Sequence, residues 1–305
     1  MTARRPLFAR PIARPWHLAG VAAALGVMGL SYMSLTAPSA KSDLARPVGM
    51  FRPQRIVSLD FCADQFVLQL ADRSQIAALS TQSRADHSYW RAKAIGLPQV
   101  RSSAEAVLAL SPDLVVRTYG GEPNAPAFLG KAGIPVLQLG EGEDFDAVRH
   151  NLRLVSRALG HADRGEAAVA SLDQTLARAH RTGAPVTALY VTPGGVQAGS
   201  DTSLGKMMAA AGLTPFDPVH TGWSALPLER LASTAPSLMI SGFMSPGALA
   251  LYPWSSARHP LIRKPLAQQP SLALSGAVSA CPGSFMAEGV LDMARSGDPL
   301  RKARS

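Results

Sequence analysis

Few residues in this chain have types and spacing that could do chemistry. The two cysteines, Cys62 and Cys281, each follow an apolar run that reads as a strand. In an oxidising compartment such a pair bonds if the Cα atoms come within roughly 7 Å. Otherwise they are buried thiols or soft-metal donors, and the sequence leaves these readings open. Cys62 stands between Asp60 and Asp64, whose carboxylates also suit the cap of a following helix. The seven histidines are scattered, with no His-x-x-x-His or Cys-x-x-Cys spacing for zinc. Gly194-Gly195 lacks the Lys-Ser/Thr of a phosphate loop, and there is no Gly-x-Ser-x-Gly elbow. No catalytic residue, metal site or cofactor is therefore assigned, and the chain is not read as an enzyme. What remains is a set of aromatic groups, Tyr119, Tyr190, Trp223, Tyr252 and Trp254, with Arg84 in a polar loop. Flat apolar contact with a few polar anchors suits a bulky ligand, and Arg84 would pair with a ligand carboxylate or phosphate.

The elements that must position these groups alternate. Apolar runs at 55–59, 75–79, 114–117 and 133–139 read as buried strands, with helices at 65–70 and 128–132 between them. After residue 183 the rhythm returns: strands at 186–191, 238–241 and from 272, helices at 203–211, 259–266 and 284–295. Such alternation predicts parallel α/β sheets, whose ligand sites lie beyond the carboxyl ends of the strands. That rule selects Asp60, Cys62, Arg84 and Tyr119 in the first half. In the second half it selects Tyr190, Trp223, Tyr252, Trp254 and Cys281.

Between the halves lies a helical stretch. Phe145, Val148, Leu152, Val155 and Leu159 form one apolar stripe, and Gly160 stops it as a C′ glycine would. Asp163 and Glu166 approximate a capping box for a second stripe of Val169, Leu172, Leu176 and Ala179. The flanks look like one plan used twice. Aligning Glu105 with Glu229 also aligns Pro112 with Pro236, Leu114 with Leu238 and Val116 with Ile240.

With 305 residues, 47% hydrophobic, the chain can bury a large core. Its net charge of +9 is concentrated at the ends, on Arg4, Arg5, Arg10, Arg14, Arg301, Lys302 and Arg304. Removing those seven charges from +9 leaves +2. No basic stripe interleaved with aromatics remains, which excludes nucleic acid as a partner. The basic start, the apolar run 18–33 and the small residues near Ala37 and Ala40 read as a signal peptide or an N-terminal anchor.

Taken in order, Arg55-Ile-Val-Ser-Leu-Asp-Phe-Cys-Ala-Asp-Gln65, Ser111-Pro-Asp-Leu-Val-Val116, Ala132-Gly-Ile-Pro-Val136, Ser203-Leu-Gly-Lys-Met-Met-Ala-Ala-Ala-Gly212 and Cys281-Pro-Gly-Ser284 resemble one family. It is that of the periplasmic substrate-binding proteins of ABC importers, in the subgroup for iron-siderophores, haem and cobalamin. The resemblance runs from about Arg55 to Arg295. It implies two Rossmann-like α/β lobes with parallel sheets, joined by a long rigid helix, with the ligand in the cleft between them. The expected parts are a signal peptide or anchor at 1–40, a first lobe at 41–142, connecting helices at 143–183, a second lobe at 184–300 and a basic tail at 301–305. It implies docking on the permease through one glutamate per lobe, matching Glu105 and Glu229. Trp223, six residues before Glu229, matches a cleft tryptophan of cobalamin-binding relatives, whereas Gln99 stands at the equivalent place in the first lobe. The expected function is capture of a ferric siderophore or corrinoid by a periplasmic monomer that delivers it to an ABC permease and its ATPase. The alternative is an exported sensor domain or metal-site protein on the same scaffold.

Overall fold

A computed structural model describes residues 52–303 except 141, 143, 185 and 246. The expected leader at 1–40 and Arg304 lie outside the described residues. Among those residues no helix is long and apolar enough to cross a membrane.

The first lobe runs β1 (Ile56–Ser58), α1 (Phe61–Leu70), β2 (Ile76–Ser80), α2 (Arg91–Ala94), β3 (Gln99–Val100), α3 (Ala104–Leu108), β4 (Leu114–Arg117), α4 (Ala125–Lys131) and β5 (Val136–Gln138). Its strands are parallel, in the order β3-β2-β1-β4-β5. Two connecting helices follow, α5 (Phe145–Ala158) and α6 (Ala162–Ala179). The second lobe runs β6 (Val186–Val191), β7 (Val196–Ala198), α7 (Ser203–Ala210), β8 (Leu213–Pro215), β9 (Trp223–Ala225), α8 (Leu228–Ser233), β10 (Leu238–Gly242), α9 (Pro260–Gln268), β11 (Ser271–Leu274) and α10 (Met286–Lys302). Its parallel sheet has the order β11-β10-β6-β8, with β7 and β9 paired antiparallel beside it.

The two sheets share a plan. In each, the strand that follows the glutamate-bearing helix lies against the first strand of its lobe: Leu114 opposite Ile56, and Leu238 opposite Ala188. Asp113 N–H donates to Arg55 O at 3.1 Å, and Ser237 N–H donates to Thr187 O at 3.0 Å, one residue before these pairs. Glu105 and Glu229 are each the second residue of their helix, α3 and α8.

Strand alternation assigns the faces. Leu114, Val116, Ala188, Tyr190, Leu238 and Ile240 enter one continuous apolar core that also holds Leu152 and Val155 of α5, Leu172 of α6 and Val290 of α10. The opposite faces close over separate clusters, around Val57 and Val115 in the first lobe and around Val191 and Met239 in the second. The sheets are thus covered on both sides, as parallel sheets require.

The connector is helical but turns back on itself. At Gly160 the backbone takes φ +78, and the Arg149–Asp173 and Arg153–Glu166 ion pairs bind α5 to α6. The helix over 162–179, at 1.5 Å per residue about 27 Å long, therefore carries the chain to the second lobe alone. The expected Asp163–Glu166 capping box is absent, because Glu166 turns to Arg153 and His161 sits at the cap without a side-chain bond. The basic residues expected at the C-terminal tail begin within the last helix. Arg301 and Lys302 belong to α10, and Arg301 Nη2 donates to Ala211 O at 2.7 Å and Gly212 O at 3.0 Å.

Candidate functional site

On the first lobe, Asp60 sets the geometry beyond the strand ends. Its Oδ1 accepts from Ala63 N at 2.9 Å and so caps α1. Its Oδ2 accepts from three successive backbone amides, Thr118 at 2.7 Å, Tyr119 at 3.1 Å and Gly120 at 2.9 Å. Asp60 is only 4% exposed, and its bonds position the loop after β4. A Cβ at Gly120 would stand 2.5 Å from Leu59 O, which is why glycine occupies that turn. The loop carries Tyr119, half-exposed, whose hydroxyl is pushed up by burial and then by the charges of Asp60 and Asp64.

One turn on from Asp60, Asp64 is wholly buried beneath the same corner. It accepts from Ser80 N at 3.0 Å and Ser80 Oγ at 2.5 Å, yet burial pushes its carboxyl up to about 7. Arg84 is spent on structure: its guanidinium donates to Ala94 O and Leu97 O, pinning the 80–90 loop to the segment before β3.

The second lobe supplies most of the exposed aromatic surface. Trp223 opens β9 and lies edge-on to Tyr190, with ring centroids 6.0 Å apart. Tyr190 itself is corrected: alternation along β6 turns it into the shared core, 1% exposed, where the hydroxyl fills the space left by Gly242. Burial pushes that hydroxyl up. Phe243, Tyr252 and Trp254 occupy the segment leaving β10, and Trp254 is 97% exposed. Phe243 is a non-glycine residue at φ +57, the strained left-handed region that tends to occur where backbone serves a site.

The lobes meet beside these segments. A Cβ on Gly276 would lie 2.7 Å from the Phe243 ring and 3.2 Å from His87 Cβ, so a first-lobe loop and a second-lobe loop close over that glycine. Beneath, Cys62 at the start of α1 is bonded to Cys281 just before α10, with Cα atoms 5.4 Å apart. The open alternatives resolve to a disulfide, so neither cysteine is a free thiol. Phe61 and Phe285 enclose it, Tyr89 stacks on Phe285 at 4.7 Å, and Tyr89 Oη lies 2.5 Å from Glu288 Oε1. Ser284 Oγ donates to Gln69 Oε1 at 3.0 Å across the same seam.

Glu105 and Glu229 are exposed on their helices. Among the described residues no group of three or more His, Cys, Asp or Glu could hold a metal ion. The pair Asp217–His220, joined at 2.7 Å, escapes a search for zinc spacings, although its three-residue separation was a readable signal.

Comparisons with known proteins agree with this architecture. The sequence profile of a family described as periplasmic binding protein matches residues 56–278. No curated protein sequence matches the chain. Among solved structures, a periplasmic heme-binding protein from a Roseiflexus species is 22% identical with TM-score 0.64, over 80% of this chain and 97% of that one. The periplasmic vitamin B12 binding protein of Vibrio cholerae is 17% identical with TM-score 0.62, over 81% and 97%. An ABC-type Fe3+-hydroxamate transport system from Saccharomonospora viridis is 19% identical with TM-score 0.59, over 81% and 94%. At these identities the likeness is one of fold.

Proposed function

Because the chain belongs to the periplasmic binding protein family, we propose that it is the solute-binding component of an ABC importer for a metal chelate or corrinoid. Membership implies export to the periplasm. The observation that carries the ligand class is the asymmetric aromatic surface beyond the strand ends. Tyr119 stands on one lobe, and Trp223, Phe243, Tyr252 and Trp254 stand on the other, all at least two-fifths exposed. Large flat apolar surfaces left exposed by a folded domain mark binding sites. Proteins of the same fold are described as binding heme and vitamin B12 and as serving Fe3+-hydroxamate transport, ligands that are bulky and carry a metal.

The chain acts by binding alone, as a monomer, and hands its ligand to a permease driven by an ATPase. Motion between lobes is small, since α6 and the Cys62–Cys281 bond both cross from one lobe to the other. Docking falls to Glu105 and Glu229, exposed at equivalent places on the duplicated lobes. A negatively charged side chain in the first turn of a helix is also favoured by the helix dipole, so stability alone does not test the role. Uptake does. Cells carrying Glu105→Ala with Glu229→Ala should fail to import the chelate that the purified variant still binds with unchanged affinity. Lost affinity, or normal uptake, would remove the docking role.

A further inference from the structure

The segment between β8 and β9 holds a histidine in an unusually defined pose. β8 runs parallel to β6, with Pro215 opposite Ala188, so 216–222 leaves the carboxyl end of the second sheet. Asp217 is the second residue of that segment and is 6% exposed. Its Oδ2 accepts from Gln197 Nε2 at 3.1 Å and meets His220 Nδ1 at 2.7 Å. In this pair the Asp217 oxygen is the acceptor and His220 Nδ1 the donor, a tautomer that leaves the lone pair on Nε2. The imidazole is 60% exposed, and Nε2 has no partner among the described residues.

The support around it is fixed at both ends. Gly222 N donates to Asp201 Oδ1 at 2.5 Å, and Gly222 O accepts from Gly199 N at 2.8 Å. A Cβ at Gly199 would lie 2.7 Å from His220 O and 2.9 Å from Gly222 O, so the backbone approach there requires glycine. Trp223 follows directly.

A buried carboxylate behind an imidazole whose outer nitrogen is open is the arrangement that orients metal-binding histidines. One nitrogen cannot hold a bare ion, and no cluster of three donors exists among the described residues. One nitrogen does suffice to fill the last position on a metal that a chelate brings with it. We propose that His220 Nε2 coordinates the metal of the bound chelate, with Asp217 as the positioning residue and Trp223 beside it. The Nε2 lone pair forms the bond, a metal-bound water leaves, and no electron is transferred. This rests on the binding function proposed above and narrows it. The cargo is a haem, a corrinoid or an iron chelate with an open or water-filled position, not one whose metal is saturated.

The test is absorption spectroscopy and affinity with three probes: ferric haem, aquacobinamide, and ferrioxamine B, whose six donors fill the iron. Wild type should bind one of the first two with a shifted metal spectrum. His220→Ala should abolish the shift and weaken binding about tenfold or more, and Asp217→Asn should weaken it by about tenfold. Added imidazole should restore the spectrum of the alanine variant, which separates lost coordination from lost folding. An unchanged spectrum and affinity in His220→Ala would overturn the inference while leaving the binding function standing. Tight binding of ferrioxamine B alone would do the same. Failure of wild type to bind any metal chelate would overturn both.

Discussion

Asp60 uses a single carboxylate to hold a helix and a loop. Oδ1 caps α1, and Oδ2 gathers the amides that carry Tyr119. Asp60→Ala should therefore cost roughly 1–3 kcal/mol, since it leaves buried amides unsatisfied. It should also weaken ligand binding, because Tyr119 loses its support; denaturant unfolding and a ligand titration check the two effects separately. Asp64 makes an opposite kind of prediction. Its carboxyl is raised to about 7 by burial, so between about pH 4 and 7 the native state keeps a proton that the unfolded chain has released. A raised acid contributes less stability as pH climbs through that window. Stability from this group should fall between about pH 4 and 7 by a few kcal/mol at most, and Asp64→Asn should flatten the profile measured by urea denaturation. A wild-type profile in which this group's contribution rises over the same range would contradict the burial argument.

At the scale of elements, much of the fold is legible because its signals are local. Apolar runs give the strands, the spacing of Phe145 to Leu159 gives α5, and Gly160 marks its end. Pro112 and Pro236 separate α3 and α8 from the strands after them, and the duplicated plan emerges from that punctuation. The site is less legible, because its partners are distant in sequence. Arg84 is claimed by carbonyls ten and thirteen residues away, and Cys62 by a cysteine 219 residues on. Position near a strand end selects Tyr190, whereas alternation within β6 decides its face. The antiparallel pair β7 and β9, which presents Trp223, joins short segments far apart in sequence with no strong apolar pattern. The disulfide gives this scale its prediction. A cross-link closing so long a loop is worth up to ~5 kcal/mol on chain-entropy grounds. Cys62→Ala with Cys281→Ala should lower the unfolding midpoint and increase amide exchange along the seam of Phe61, Tyr89 and Phe285. Exchange unchanged at that seam would mean that the stacked rings and the Tyr89–Glu288 bond hold the lobes without it.

The whole molecule is two copies of one α/β plan, joined by the Cys62–Cys281 bond, with aromatic surface at the strand ends and exposed glutamates, Glu105 and Glu229, at equivalent places on the two lobes. The shared core running through the connector and α10 makes this a stiff body. Such a body suits recognition by a preformed cleft, in which little binding energy is lost to ordering the protein. The exposed aromatic surface is distributed unevenly, with Tyr119 on the first lobe and Trp223, Phe243, Tyr252 and Trp254 on the second, so truncating Trp223 should cost more affinity than truncating Tyr119. The most direct measurement is tryptophan-fluorescence titration of the purified protein with cobalamin, cobinamide, haem and ferric siderophores, corrected for absorption by these coloured ligands. The account predicts saturable quenching by one class of chelate at sub-micromolar concentration, reduced in Trp223→Phe. No saturable binding across the panel would contradict the assignment to metal-chelate capture.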